Sequence, residues 1–377
     1  MNLPELNSNE LFSKQRVAAF DGLRGVAVLA VMLHHLSFYC PVNTPLAELT
    51  RKLLHAGWCG VDLFFVLSGF LITGILLDTR GNENYFRAFY ASRALRTFPA
   101  YYLTLIAVLV ASKFSSVVGT VLPQRHDRIF YFFYLNNWWA LMGGLWRPNI
   151  IGHFWSLAVE EQFYLLFPFI PRFFARRQVA MAALTGIVLA PVIRTAIYLH
   201  WGPVRDIVEN LFCRMDSLLM GALIASLARS SGNLSGGRWI LRCLALVAGL
   251  AFGAGSFSRL PIFGLARSEL FIFSGLAVIL GCLILETFVT REKNTLFQRS
   301  VCWRPLRFAG KYSYGIYLYH VPLLWLCARC CTRLEPARDL MEFMAFSGGV
   351  MALTIAAAKL SYDFFEIRFL KRKSQFP

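Results

Sequence analysis

The chain has 377 residues, 57% of them hydrophobic and 16% charged, with a mean hydropathy of +0.53 and a formal net charge of +17. So little polar surface cannot cover a water-soluble globule of this size, which excludes a soluble enzyme and predicts an all-α, polytopic transmembrane helical bundle. Lys and Arg fall mostly between the hydrophobic segments rather than in a separate basic block, so the charge reads as membrane orientation and contact with anionic lipid or ligand, not as nucleic-acid binding.

The first sixteen residues are polar and mixed in charge, unlike the basic start of a signal peptide, so the first span is expected to be retained. Ten stretches are long and apolar enough to cross a bilayer: about 22–39, 59–77, 100–118, 153–171, 179–199, 209–228, 239–257, 268–288, 311–331 and 343–366. The aromatic run IFYFFYLNNWW at 129–139 is too short to span and reads as interfacial or re-entrant. Segments on the side of the N-terminus carry about twice as many Lys and Arg as those opposite, which predicts both termini in the cytosol. SSGNLSGG at 230–237 reads as a simple loop. The whole chain, 1–377, is expected to form one domain with no separate soluble unit. Of nine scattered cysteines, Cys327, Cys330 and Cys331 come closest to ligand spacing, but they end an apolar span and no metal is expected.

Polar groups inside the spans carry the functional reading. Residues 21–35, DGLRGVAVLAVMLHH, hold a cation near the start and two imidazoles at the end. In a helix the eleven steps from Arg24 to His35 return within about 20° of one face, roughly 16 Å further along, while His34 points about 80° away. Entering from the cytosol, Arg24 lies near the inner surface and His35 past the middle of a hydrocarbon core about 30 Å thick. Ionisable groups at that depth usually face a polar cavity and mark function. This face, with Asp21 in support, is expected to form one wall of a catalytic tunnel.

Asp62 lies near the outer end of the second span, as an interfacial cap or a supporting site residue, and Gly57, Gly60 and Gly69 read as close helix packing. Arg93 and Arg96 share a helix face before the third span, with Pro99 marking a change of direction. They read either as headgroup anchors or as a paired guanidinium clamp for phosphates. The fourth span, HFWSLAVEEQFYLLFPF at 153–169, holds His153, Ser156, Glu160, Glu161 and Gln162. Helical rise puts the two carboxylates about 10 to 12 Å in from the outer side, level with His35, and at most one can face it. An ion pair with Arg194, Arg214 or Lys359 is the structural alternative for the other. Arg214 and Asp216 read as a supporting ion pair. Ser313, Tyr317 and His320 share the ninth span, with His320 about midway, either a structural group or part of the site. Glu366, beside a cationic tail, reads as anchoring. No Walker loop, dinucleotide glycine fingerprint, GxSxG elbow or zinc motif is present.

Six ordered motifs, FDGLRGVAVLAVMLHH, GVDLFFVLSGFLIT, RALRTFPAYY, FWSLAVEEQFYLLFP, RMDSLLMG and YSYGIYLYH, resemble those of the membrane-embedded acyltransferase family 3. That family includes bacterial O-antigen, exopolysaccharide and Nod-factor acyltransferases, and the resemblance runs from about residue 18 to 370. It implies about ten helices, a multi-pass protein of the bacterial inner membrane, and an O-acyltransferase moving an acyl group, commonly acetyl, from cytosolic acyl-CoA to a hydroxyl of a cell-surface saccharide, with no permanently bound cofactor. Carried over by position, it implies His35 as general base, Glu160 or Glu161 orienting the imidazole, Ser156 nearby, and Arg24, Arg93 and Arg96 holding the CoA phosphates. The terminal motif departs from the family's Glu-x-Pro, reading Glu366, Ile367, Arg368. The hydrolase-like domain fused to some members is not expected. A proton-coupled transporter and a noncatalytic partner in a polysaccharide assembly complex are the rival readings.

Overall fold

The computed structural model describes residues 18–114, 116–124, 126–138, 149–201, 209–229, 239, 241–249, 265–330 and 337–376. Among the described residues the chain is helical, with no strand. The elements used below are α1 (Ala18–Leu36), α2 (Pro45–His55), α3 (Gly60–Asp78), α4 (Tyr85–Phe114), α5 (Trp155–Leu166), α6 (Arg176–Trp201), α7 (Leu211–Ala228), α8 (Leu265–Val289), α9 (Arg304–Lys311), α10 (Ser313–Cys330) and α11 (Leu340–Ser361).

Seven helices among the described residues are long and apolar enough to cross a membrane, and they fall on seven of the ten expected spans. Of the other three, the fourth is the twelve-residue α5 and the ninth is α10, while 239–257 lies only partly within the described residues. The run at 129–139 forms a short helix, Arg128–Phe132, and then turns. The loop at 230–237 and Cys331 lie outside the described residues. Pro99 does not end a helix: α4 continues through it for 30 residues. Only the Pro99 backbone N–H is lost from the ladder, so Arg93 and Arg96 sit on the spanning helix itself.

Local sequence explains the boundaries. Thr44 caps α2 by accepting from the Ala47 amide at 3.1 Å, with Pro45 in the first turn where its missing N–H costs nothing. Asn210 caps α7 and Asp339 caps α11 in the same way. Leu46, Leu49 and Leu53 of α2 are all exposed on one side, the pattern of a helix lying in a membrane interface.

Glycines set how closely the helices approach. A Cβ on Gly57 would lie 2.1 Å from the Ala30 carbonyl oxygen, and one on Gly60 would lie 2.4 Å from that of Ala27. Because 57 to 60 runs against 30 to 27, α1 and α3 are antiparallel. A Cβ on Gly69 would lie 1.8 Å from the Leu218 carbonyl oxygen, so α3 and α7 touch backbone to backbone, as small residues permit in lipid. The close-packing reading of Gly57, Gly60 and Gly69 therefore holds. Gly69→Val forces these two helices apart, and its expected outcome is loss of a monodisperse species in size-exclusion chromatography in detergent, whereas Gly348→Val, at a position with nothing within 4 Å, elutes as wild type.

Candidate active site

Two crossed ion pairs hold the helices that build the site. Arg214 donates to Asp62 at 2.8 Å and the Ser217 hydroxyl donates to the same carboxylate oxygen at 2.9 Å. Arg194 donates to Asp216 at 2.9 Å, and the Ser274 hydroxyl donates there at 2.7 Å. All four charged groups are buried, and the Arg214 guanidinium lies 3.9 Å from the centre of the Phe273 ring. Arg214 and Asp216 thus do not pair with each other as their spacing suggested. Two residues apart, they project in directions about 200° apart around α7, one toward α3 and the other toward α6. Arg194 and Lys359 do not serve the α5 carboxylates either, since Lys359 pairs with Asp363 at 2.7 Å. At the other end of α3, Asp78 receives two bonds from Arg229, at 2.7 and 2.8 Å.

Between these clamps α3 forms one wall of a polar-lined cavity. Its α3 lining runs from Val61 to Ile72, about 16 Å at helical rise. Arg24, Arg93, Arg96 and Thr97 lie at one end, Ser68, Glu160 and Tyr164 along the middle, and Phe64, Ser156 and Tyr317 at the other. Arg24 is bonded to Asp21 at 3.1 Å. Arg93 lies between the Phe89 and Tyr164 rings, 5.9 Å from each centre, and its buried Nε has no partner among the described residues. Ser68 and Tyr164 are hydrogen-bonded to each other, and both lie beside Glu160. Glu161 is turned toward Thr97 and Arg93. Gln162 is locked away from the cavity by a reciprocal amide pair with Asn137, at 2.8 and 3.2 Å.

The opposite end of the bundle holds five of the seven histidines: His34, His35, His55, His153 and His320. Ring centres are 4.8 Å apart for His35 and His320, 4.9 Å for His153 and His320, 6.4 Å for His35 and His153, and 4.6 Å for His34 and His55. His35 Nδ1 lies 3.0 Å from the Val31 carbonyl oxygen and 3.2 Å from His320 Nε2, and His320 Nδ1 lies 2.6 Å from the Tyr317 carbonyl oxygen. A carbonyl oxygen only accepts, so each Nδ1 carries its proton. His320 Nε2 is then an acceptor for His35 Nδ1–H, and His35 Nε2 keeps its lone pair. The ring is partly exposed.

No carboxylate is among the partners of His35, which corrects the expectation that Glu160 or Glu161 orients it. The segment before α5 starts with a short 3-10 turn, Gly152–Phe154, and this puts His153 level with His35. Glu160 lies seven residues on, about 10 Å along the axis, facing the cavity beside Arg24. The cavity does not reach His35. It ends at Ser156 and Tyr317, whose hydroxyls lie 2.5 Å from each other and 3.2 and 3.0 Å from the His153 carbonyl oxygen, so that one hydroxyl donates to the other and the second donates to the carbonyl. Ser313 joins the lining, while Glu366 accepts from Ser361 at 3.1 Å. Residues to which the sequence reading gave no role are Ser68 and Tyr164 in the cavity and His55 in the cluster. His55 ends the amphipathic helix α2 rather than lying in a span, so span-based reasoning had no reason to bring it to His34. Among the described residues no group of His, Cys, Asp and Glu is arranged to hold a metal.

The described residues thus form a multi-pass helical bundle with a polar cavity inside it and a histidine cluster beyond. The chain belongs to the acyltransferase-domain family, acyltransferase family 3, whose family model matches residues 17–360. It is 31% identical over 332 residues to YrhL of Bacillus subtilis, covering 82% of this chain and 49% of that protein. It is 27% identical over 388 residues to the peptidoglycan O-acetyltransferase OatA of Listeria monocytogenes, covering 94% and 56%. It is 26% identical over 332 residues to the O-acetyltransferase OatA of Staphylococcus aureus, covering 84% and 52%. The chain therefore spans about half the length of the curated relatives it matches. No solved structure matches it.

Removing one partner from a buried pair strands the other charge, which costs about 3–5 kcal/mol. Asp62→Ala is expected to lower the detergent melting temperature strongly. The double variant Asp62→Leu/Arg214→Met, which strands no charge, is expected to recover most of the loss in the same melt.

Proposed function

We propose that the protein transfers an acetyl group from a cytosolic acyl-CoA to a saccharide hydroxyl in the bacterial plasma membrane, with His35 as general base. The observation that carries this reading is the unprotonated Nε2 of His35, aimed by the bonds of Nδ1 to Val31 and His320, at the far end of a bundle whose cavity gathers Arg24, Arg93 and Arg96. The peptidoglycan O-acetyltransferase name of the Listeria relative supports a cell-wall saccharide as acceptor. The excess of Lys and Arg in the segments on the N-terminal side supports a cytosolic arginine end.

Chemistry then follows from placement. The three guanidinium groups attract the donor's phosphates from the cytosol, planar forks suiting bidentate contact with phosphate oxygens. The thioester extends along α3 toward Ser156 and Tyr317. An acceptor hydroxyl reaching His35 from the opposite side gives its proton to Nε2 as its oxygen attacks the thioester carbonyl. The tetrahedral intermediate collapses with cleavage of the C–S bond, and the imidazolium returns the proton to the CoA thiolate. For the two reactants to meet, the hydrogen-bonded Ser156 and Tyr317 side chains must part, and their freed hydroxyls become donors for the developing oxyanion. Glu160, beside Arg24, Ser68 and Tyr164, fixes the polar wall along which the pantetheine arm passes.

The test uses the full-length protein in nanodiscs with acetyl-labelled acetyl-CoA and a soluble peptidoglycan-fragment acceptor. Covalent label in the acceptor is expected, with His35→Ala slowing transfer by about 10²- to 10⁴-fold. His320→Phe, which leaves the base in place but removes its hydrogen-bond partner, is expected to lower kcat with little change in KM for acetyl-CoA. Arg93→Gln is expected to do the reverse. Absence of label, together with proton-driven solute flux into proteoliposomes, would replace the enzyme reading with a transporter.

A further inference from the structure

A second, smaller cavity opens beside the first at the arginine end. The two share Arg96 and Tyr314 in their linings, so they meet at the Arg96 side chain. Lys311, Tyr312, Tyr362 and Glu366 complete the polar part of the second lining. Part of its wall is a local departure from α-helix geometry: after Ser361 the chain makes a π-turn, Tyr362–Glu366. A π-turn inserts one residue into the helical repeat and is found mostly at functional sites. Here it turns both Tyr362 and Glu366 into the cavity, while Gly315 lets α10 and α11 approach: a Cβ there would lie 3.1 Å from the Ala358 Cβ.

The lining has the chemistry of a phosphorylated aromatic ligand. Lys311 Nζ sits 4.8 Å from the Tyr312 ring centre and 5.1 Å from that of Tyr362, and it donates to the Tyr312 hydroxyl at 3.1 Å. No carboxylate among the described residues forms an ion pair with it. Glu366, 6% exposed, accepts from the Ser361 hydroxyl and lies in the field of Arg96, so those two charges oppose each other and Lys311 leaves the lining net positive. The Tyr312 and Tyr362 rings stand 5.2 Å apart at 89°, giving a ring plane and a ring edge for a flat heterocycle. Residues 368–373, RFLKRK, bring four more cations to the same end of the chain and add a positive field for an anion arriving from solvent.

We propose that this second cavity holds the nucleotide end of the donor, with Lys311 on the ribose 3′-phosphate and the Tyr312–Tyr362 corner on the adenine. The inference rests on the acyl-CoA reading above. It divides the donor between two compartments: the phosphoadenosine in the cavity beside the π-turn, the diphosphate at the shared Arg96, and the pantetheine and thioester in the larger cavity along α3.

Binding of CoA and of 3′-dephospho-CoA to the full-length protein in nanodiscs tests this. The wild type is expected to prefer CoA by about tenfold, one charge-assisted phosphate contact. Lys311→Gln is expected to erase that preference by weakening CoA alone, and Lys311→Arg to retain it. Tyr362→Leu is expected to weaken both ligands several-fold. Unchanged dephospho-CoA binding by Lys311→Gln shows that the variant is folded. The inference is overturned if Lys311→Gln weakens both ligands equally, or if the preference for CoA survives it, as when the lysine instead holds a lipid phosphate. Should the wild type bind neither ligand, the acyl-CoA reading itself falls, an outcome distinct from CoA binding that ignores Lys311.

Discussion

A hydrocarbon interior supplies neither water nor counter-ions, so each charge inside it must be answered by another part of the chain. The crossed pairs Asp62–Arg214 and Asp216–Arg194 are the fullest expression of that constraint. Through them α3 is tied to α7, α7 to α6, and Ser274 of α8 to both members of the second pair. Asp78–Arg229 repeats the tie at the far end of α3. Since α3 supplies the long wall of the main cavity, the register of the site depends on charges that take no part in its chemistry.

The same constraint gives meaning to two cations that are held by aromatic rings rather than by a hydrogen-bonded carboxylate. Arg93 is boxed between aromatic rings with a buried nitrogen left over, and Lys311 leans on tyrosine faces. Both line cavities rather than lipid. Cation–π contact holds a cation without neutralising it, so each is kept in place while its charge stays available to a ligand.

Much of this architecture was legible in the residues. Hydropathy located the spans, the shared face of Arg93 and Arg96 located the cationic end of the cavity, and the glycines of the second span marked close packing. What failed was the comparison of depth between helices. Helical rise places residues well along one helix, but it needs a starting point, and the 3-10 turn before α5 shifted that origin so that His153, not Glu160, stands level with His35. Charge pairing within one helix failed for a related reason: proximity in sequence joined Arg214 to Asp216, whereas the helix directs them to opposite neighbours. The π-turn at Tyr362 left no mark in composition, because it reflects how α11 packs and not which residues form it.

The closed end of the main cavity has a consequence for the cell as well as for the reaction. A continuous aqueous path from Arg24 to the histidine cluster would short-circuit the membrane, letting protons run down their electrochemical gradient through imidazoles well suited to relay them. The Ser156–Tyr317 pair, backed by Phe64, interrupts that path with two hydroxyls and a ring. Insulation here is a matter of a few side chains rather than a thick plug.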